Sequence, residues 1–291
     1  MVKTISELYR DARRAIMTQE EEHTASFYTR NLVCHVTGKS PEAVIADGQS
    51  YVGDQICEAM DQEVNRVLEG EPLAYVLGEW DFYGMTLHVD KNVLIPRDDT
   101  CAVTALAIKQ SLFLDTSPRI MDLCTGSGCI GLAVASRVKD AKVTLADVSR
   151  EALAVAKKNV TEMKLSARVS CVHADALGEP AAYLGKFDLI VSNPPYITSE
   201  EMGKLPDSVK NYEPHLALHG GNDGLEFYRS IASKYAKALK PGGFLCFEFG
   251  MRQGNDVCEI LRDNGYTVLE RVKDYNDTER AVLARYDRKE E

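Results

Sequence analysis

Phe187-Asp188-Leu189-Ile190-Val191-Ser192-Asn193-Pro194-Pro195-Tyr196 is the stretch whose reading decides the fold. Its apolar, β-branched first half reads as a buried strand. The Pro-Pro pair stops that strand abruptly, because proline has no amide hydrogen for a sheet ladder and holds the residue before it in extended angles. Asn193-Pro194-Pro195-Tyr196 therefore falls in a loop at a strand's carboxyl end, the edge of an open α/β sheet where ligands bind.

The loop offers an uncommon set of groups. Asn193 supplies a side-chain carbonyl and Pro194 a main-chain carbonyl, with no proline N–H at 194 or 195 to compete for either. Tyr196 adds a flat aromatic face. Together, Asn193, Pro194, Pro195 and Tyr196 can hold a planar NH2 group by both hydrogens and stack on its plane. Taken alone, the four residues fit a rigid turn with a capping Asn equally well.

Outward from this stretch, strand and helix patterns alternate from residue 119 onward. Strands are expected at 120–123, 142–148, 168–173, 187–192, 244–249, 266–272 and 280–285, and helices at 129–138, 150–163, 225–239 and 253–264. This alternation predicts a mostly parallel sheet covered by helices on both faces. No helix-length segment separates the last two strands, so they are expected to be antiparallel.

The first strand of the series runs into Asp122-Leu123-Cys124-Thr125-Gly126-Ser127-Gly128-Cys129-Ile130-Gly131. Gly126, Gly128 and Gly131 fit G-x-G-x-x-G, in which residues without Cβ atoms let backbone approach a ligand closely. Asp147 ends the second strand about 20 residues further on, where a carboxylate can accept from both hydroxyls of a ribose. The pair predicts a nucleotide-like cofactor, and NAD satisfies it as far as it goes. Asp122 turns the reading elsewhere. An acid just before the glycine loop is misplaced beside a pyrophosphate but well placed beside S-adenosylmethionine, which carries a sulfonium and an ammonium. Asp175, at the end of the third strand, can accept from an adenine amino group or serve as an ordinary strand-end cap.

Composition bounds the remaining possibilities. The chain has 291 residues, which predicts one large and one small domain, and 45% of them are hydrophobic. Lys and Arg number 34 against 44 Asp and Glu, a formal net charge of −10. That balance argues against a large duplex nucleic-acid footprint. Eight cysteines occur without a C-x-x-C pair or paired Cys/His zinc spacing, so neither a disulfide framework nor a metal site is expected. A reducing cytoplasm is the expected compartment. No apolar signal core or membrane-length run is present, and the one charged tract is the tail at 287–291.

Residues 1–70 read as helices. Thr4 and Glu7 have capping-box spacing, Gly38 can end a second helix, and Ser40-Pro41 pairs a cap with proline in the first helical position. Val52, Ile56, Met60, Val64 and Leu68 recur at four-residue steps, a stripe read as the core of a small bundle. From Tyr75 to Ile95, Trp80, Phe82, Tyr83, Leu87 and Val89 are punctuated by Gly78, Gly84 and Asn92, which predicts a β-hairpin connector. The divisions expected are a helical domain at 1–72, the connector at 73–96 and a catalytic domain at 97–291. His173, Cys124 and Cys129 lie near the expected site, but packing accounts for each.

Residues 70–79, Val93-Leu94-Ile95-Pro96-Arg97, Asp122 to Gly131, Asn193 to Tyr196, Asn211-Tyr212-Glu213-Pro214 with Ala217-Leu218, and Asp274-Tyr275 through Arg280 occur in an order that resembles one family. These are the HemK/PrmC protein-(glutamine-N(5)) methyltransferases, class I enzymes dependent on S-adenosylmethionine and acting on peptide chain release factors. The resemblance runs from about residue 50 to the end. It implies a Rossmann-like, seven-stranded α/β methyltransferase domain behind a small helical domain that helps recognise the release factor. It further implies that Cys124, Thr125, Gly126, Ser127, Gly128 and Asp147 hold the cofactor, which leaves as S-adenosylhomocysteine, with Ala176 near its adenine; Asp122, Asp175 and Asn193 are expected beside it as well. Asn193 through Tyr196 would hold the glutamine of a Gly-Gly-Gln loop. The chain departs from the family at Arg97-Asp98-Asp99-Thr100-Cys101, where Arg-Pro-Asp-Thr-Glu is usual, and at Ala176, where a bulkier residue is often found.

Three other readings stand beside this one. An adenine amino-methyltransferase would use the same loop but predicts a basic nucleic-acid face, whereas residues 1–70 carry mixed charge. The acceptor glutamine could belong to a ribosomal protein. A catalytically idle module docking on a translation factor is a reading of a different class, against which the intact Asp122, Gly126, Gly128, Asp147 and Asn193–Tyr196 argue. A monomer with no membrane and no direct nucleic-acid contact is expected.

Overall fold

Strands apolar on both faces must be covered on both faces, and the runs around residues 120, 145, 190 and 245 are of this kind. A computed structural model describes residues 2–114 and 117–287, so the charged tail beyond Asp287 lies outside the described residues. The chain divides into two compact units, Met1–Glu79 with Asp207–Tyr212, and Trp80–Pro206 with Glu213–Glu291.

The first unit is helical: α1 (Ile5–Ile16), α2 (Glu22–Thr37), α3 (Pro41–Ala46), α4 (Asp54–Leu68) and α5 (Leu73–Leu77). Two short strands, β1 (Lys3–Thr4) and β2 (Tyr51–Val52), pair antiparallel. Thr4 and Glu7 form the expected capping box, Gly38 ends α2 at φ 63°, and Ser40 caps α3 with Pro41 in its first turn. The expected apolar stripe is shifted. Val52 belongs to β2, and the face that α4 buries is Cys57, Met60, Val64 and Val67, because mixed three- and four-residue steps track a 3.6-residue helix better than steps of four alone.

The connector is likewise shorter than expected. Leu73–Leu77 is a helical turn after Pro72, and the hairpin is confined to β3 (Glu79–Phe82) and β4 (Met85–His88), turning at Tyr83-Gly84, both at positive φ. Five apolar or small residues after a proline suit a buried helical turn as well as a strand, and Leu73, Ala74, Tyr75 and Val76 are all buried.

The second unit carries a seven-stranded sheet. Its strands are β5 (Arg119–Leu123), β6 (Lys142–Asp147), β7 (Val169–His173), β8 (Phe187–Ser192), β9 (Leu239–Glu248), β10 (Tyr266–Lys273) and β11 (Glu279–Tyr286). Across the sheet the order is β10-β11-β9-β8-β5-β6-β7, and β5, β6, β7, β8 and β9 run parallel. Strand β11 pairs antiparallel with both β9 and β10, as the missing crossover helix required. Helices α6 (Thr100–Leu112), α7 (Cys129–Arg137) and α8 (Arg150–Glu162) help form one core, and α11 (Glu226–Lys234) and α12 (Gly254–Asp263) help form the other. The short α9 (Ser199–Met202) follows β8, and α10 (Asp207–Tyr212) belongs to the first unit.

Topology fixes where a ligand can sit. The chain moves outward from β5 to β7 and returns to place β8 on the other side of β5, so the carboxyl ends of β5 and β8 flank a crevice at the switch point. Among the described residues no helix is long and apolar enough to cross a membrane.

Candidate active site

At the carboxyl end of β5 the chain turns sharply through Cys124 (φ 61°), Gly126 (φ 53°) and Gly128 (φ 87°) before entering α7. Gly126 in the loop and Gly131 in α7 serve different ends. A Cβ on Gly126 would meet nothing within 4 Å, so its backbone faces open space. A Cβ on Gly131 would fall 2.3 Å from Leu145 Cδ2, so its absence lets α7 lie against the sheet.

Asp122 anchors this loop from beneath. Its Oδ2 accepts the Thr125 hydroxyl at 2.6 Å and the Gly131 N–H at 2.8 Å, while its Oδ1 is buried without a hydrogen-bond partner. Burial is the largest cause that pushes this carboxyl up to about 7; the bonds from Thr125 and Gly131 oppose it, and the nearby Asp147 adds to it. Ser127 Oγ is a second buried polar atom without a partner.

Asp147 ends β6 with both oxygens engaged by main chain. Oδ2 accepts from Gly126 N at 2.9 Å and Oδ1 from Ser149 N at 2.9 Å. Burial raises its pKa, against the lowering effect of these N–H groups. Asp175, beyond β7, caps its own turn by accepting Leu177 N at 2.8 Å. Ala176 is buried, with its carbonyl taken by the Ser230 hydroxyl at 2.9 Å.

Asn193 leaves β8 with its side-chain Nδ2 3.3 Å from Thr100 Oγ1, at the start of α6. Its loop is clamped from behind by groups that the local sequence did not reveal. Gln253 Nε2 donates to the Tyr196 carbonyl at 3.1 Å and the Gly224 carbonyl at 3.3 Å, and its Oε1 accepts Gly250 N at 2.9 Å. Ile197 N donates to Leu218 O at 3.0 Å, and Gly220 N donates to Ile197 O at 2.8 Å. Gly220, Gly224 and Gly250 each lie so near Tyr196 that an added Cβ would come within 3 Å of it.

One pocket collects most of these groups. Cys124, Thr125, Gly126, Ser127, Asp147, Asp175, Ala176, Asn193 and Pro195 line it. Asp122, Gly128, Pro194 and Tyr196 do not: Asp122 is wholly buried under the loop, Pro194 is buried, and the Tyr196 ring is packed at Gly250. Among the pocket's lining residues Arg97 is the one cation, and it is ion-paired with the buried Glu213, which also accepts Ile95 N at 3.2 Å. The thiols of Cys124 and Cys129 are pushed up by burial, which makes them poor nucleophiles. His173 is exposed and outside the pocket. Among the described residues no cluster of His, Cys, Asp and Glu could hold a metal ion.

Two tethers escaped sequence reasoning because they are long-range. Glu213 joins the 95–97 stretch to the segment that carries Pro214 and Ala217, and all but Ile95 and Glu213 of these flank the pocket. Asn159 on α8 donates to the Ser127 carbonyl at 2.9 Å and the His88 carbonyl at 3.0 Å, and accepts His88 N at 2.7 Å. A buried Asn in the middle of a helix is the signal that could have singled it out, since such a group must find partners.

A mostly parallel sheet with this strand order, a glycine loop at its switch point and an Asn-Pro-Pro-Tyr loop beside it define a class I methyltransferase. Residues 100–206 match the family model "Methyltransferase small domain" and residues 7–78 match "PrmC N-terminal domain". The chain is 38% identical to the release factor glutamine methyltransferase of Clostridium acetobutylicum over 91% of this chain and 93% of that protein. It is also 38% identical to the one of Chlorobaculum tepidum, over 86% and 87% respectively. A crystal structure of a methyltransferase from Pyrococcus furiosus matches the fold with a TM-score of 0.52 at 19% identity, covering 78% of this chain and all of that one. The chain belongs to the release factor glutamine methyltransferase family.

Proposed function

We infer that this protein transfers a methyl group from S-adenosylmethionine to the side-chain amide nitrogen of the glutamine in the Gly-Gly-Gln motif of peptide chain release factors. The observation that carries the reading is the placement of Asn193, at the rim of a pocket that also holds the glycine loop and Asp147. The names of the relatives supply the acceptor.

The pocket's chemistry fits a cationic nucleoside better than a dinucleotide. Asp147 and Asp175 line it, Asp122 lies under its floor, and its one cation is already paired. A pyrophosphate would meet carboxylates and no free cation, whereas an ammonium and a sulfonium meet complementary charge. Ser127 Oγ is an unpaired polar atom of the lining that a polar ligand would satisfy. Asp147 would take the ribose hydroxyls, Cys124 to Gly128 the amino-acid end, and Asp175 with Ala176 the adenine. When bound, the cofactor supplies an electrophilic methyl carbon on a positively charged sulfur.

The chain's own task is to make an amide nitrogen act as a nucleophile. Its lone pair is delocalised into the carbonyl, as in the peptide bond. Asn193 Oδ1 and the Pro194 carbonyl would accept the two amide hydrogens, raising electron density on nitrogen and stabilising the positive charge that develops as the methyl arrives. Fixing the amide in line with the donor removes much of the entropic barrier. The methylated nitrogen loses its extra proton readily to water, so no strong base is needed. Residues 1–72 would recognise the release factor, with the enzyme acting as a monomer.

The test is methyl transfer from labelled S-adenosylmethionine to a purified release factor, beside a Gln→Ala variant of its Gly-Gly-Gln loop, with DNA and RNA as parallel acceptors. Label on the native factor alone upholds the reading. Label on nucleic acid overturns it in favour of an adenine amino group, which the same two acceptors would hold.

A further inference from the structure

Glu248 is the last residue of β9, next to the strand that delivers Asn193, and it is 1% exposed. Its Oε2 has no hydrogen-bond partner. Its backbone is fixed from two sides: the Tyr228 hydroxyl donates to its carbonyl at 3.0 Å, and it sits opposite Ala281 in the β9–β11 ladder. A glutamate buried at the end of a central strand costs stability unless something uses it. The side chains of Thr100 and Asn193 are the hydrogen-bonding groups that face its carboxyl.

We propose that Glu248 is a positioning residue that sets, through the Thr100 hydroxyl, which end of the Asn193 amide faces the pocket. The argument is one of hydrogen-bond polarity. An amide presents a donor end and an acceptor end of nearly the same shape, so packing alone does not choose between them. A hydroxyl both donates and accepts, and also does not choose. An ionised carboxylate only accepts. With Glu248 ionised, the Thr100 O–H would point to it, leaving Thr100 Oγ1 to accept from the Asn193 NH2, whose Nδ2 lies 3.3 Å from that oxygen. Asn193 Oδ1 is then the atom presented to an incoming NH2. Reversal of the amide would place two donors face to face and abolish the site.

This inference rests on the reading of Asn193 as the holder of the acceptor amide, and it explains a residue that the motif does not contain. Burial pushes the Glu248 carboxyl up to about 8, against the lowering influence of Thr100, Arg280 and Asn193, while Asp99 adds to the rise. Arg280 is held by Asp99 at 2.9 Å and Asp274 at 2.8 Å. The other titratable groups that feel Glu248 are Tyr196 after β8, Tyr228 on α11, Cys101 on α6 and Cys129 on α7; burial raises each of these above its ordinary alkaline value, further from neutrality. Glu248 is therefore the group expected to titrate in this cluster near neutrality. The ionised, orienting form gains population as pH rises through about 8.

The experiment uses the full-length protein labelled with 15N-asparagine, the Asn193 side-chain signal being assigned by its loss in N193A, together with turnover on a release factor. The Asn193 NH2 signal should move with pH through an inflection near 8 and stay fixed in E248Q. Both E248Q and T100V should lower kcat by about a hundredfold, the cost of a misplaced reacting group. T100S should recover most of that loss, and the Kd for S-adenosylmethionine and the KM for the release factor should move less than about threefold. An Asn193 signal indifferent to Glu248→Gln overturns the proposal, as does a parallel loss of kcat and cofactor affinity. If the signal titrates as described but native enzyme does not methylate the factor, the proposed function fails and the orienting role stands.

Discussion

Asp147, at the end of one strand, accepts the N–H of Gly126 in the loop that follows the neighbouring strand, at 2.9 Å. One carboxylate thus ties the glycine turn to the position where a ribose is expected, and its second oxygen holds Ser149 N. Each oxygen keeps lone-pair capacity for a further donor from the pocket.

Replacing Asp147 by Ala should therefore weaken the cofactor through two routes, lost ribose bonds and a loosened loop. Bonds to a charged acceptor are worth about 1.5–3 kcal/mol each, so the Kd for S-adenosylmethionine should rise by at least about tenfold. Calorimetric titration of the apo protein measures it. An unchanged Kd would mean that Asp147 serves the loop alone.

Asn193→Ala separates binding from chemistry. The side chain lines the pocket but holds no part of the glycine loop, so cofactor affinity should stay within about threefold while kcat falls by about 10²–10³, the usual range for removing one donor or acceptor of developing charge. Equal losses in both would place Asn193 with the cofactor instead.

Local patterns made the strand ends, the glycine loop and the Asn-Pro-Pro-Tyr loop legible in the sequence, because each is a short run whose geometry its own residues dictate. The clamp behind them was not legible. Gln253 is one polar residue at the N-cap of α12, and nothing around it announces three bonds to residues 196, 224 and 250. Glu213 and Asn159 are likewise defined by partners more than 30 positions away. The hairpin boundaries and the stripe on α4 were not legible for a different reason: short apolar runs satisfy helix and strand periods alike until packing chooses.

Gly224 tests that clamp. At φ 72° its Cβ would lie 2.3 Å from the Tyr196 carbonyl and 2.6 Å from Gln253 Nε2. Gly224→Ala should push the Tyr196 loop away, costing about 1–3 kcal/mol in denaturant unfolding and lowering kcat more than it raises the Kd for S-adenosylmethionine. Preserved turnover with lowered stability would show that the loop tolerates the shift.

Asp122 gives stability a pH dependence of defined sign. Its carboxyl is pushed up to about 7 in the folded chain, against about 4 when unfolded, because burial outweighs the bonds from Thr125 and Gly131. Between those values the folded state keeps a proton that the unfolded state has lost. This group's contribution therefore declines as pH rises through the window, by up to about 1.4 kcal/mol per pH unit, and is flat above about 7. Asn at the same position does not titrate, and its amide oxygen can still accept from Thr125 and Gly131. The apo Asp122→Asn variant should accordingly gain on native protein in urea unfolding between pH 5 and pH 8, while binding S-adenosylmethionine more weakly because the neutral amide offers the ammonium no charge. A stability gap between variant and native protein that is equal at pH 5 and pH 8 would show that Asp122 is ionised throughout and that its unpartnered oxygen is solvated in solution.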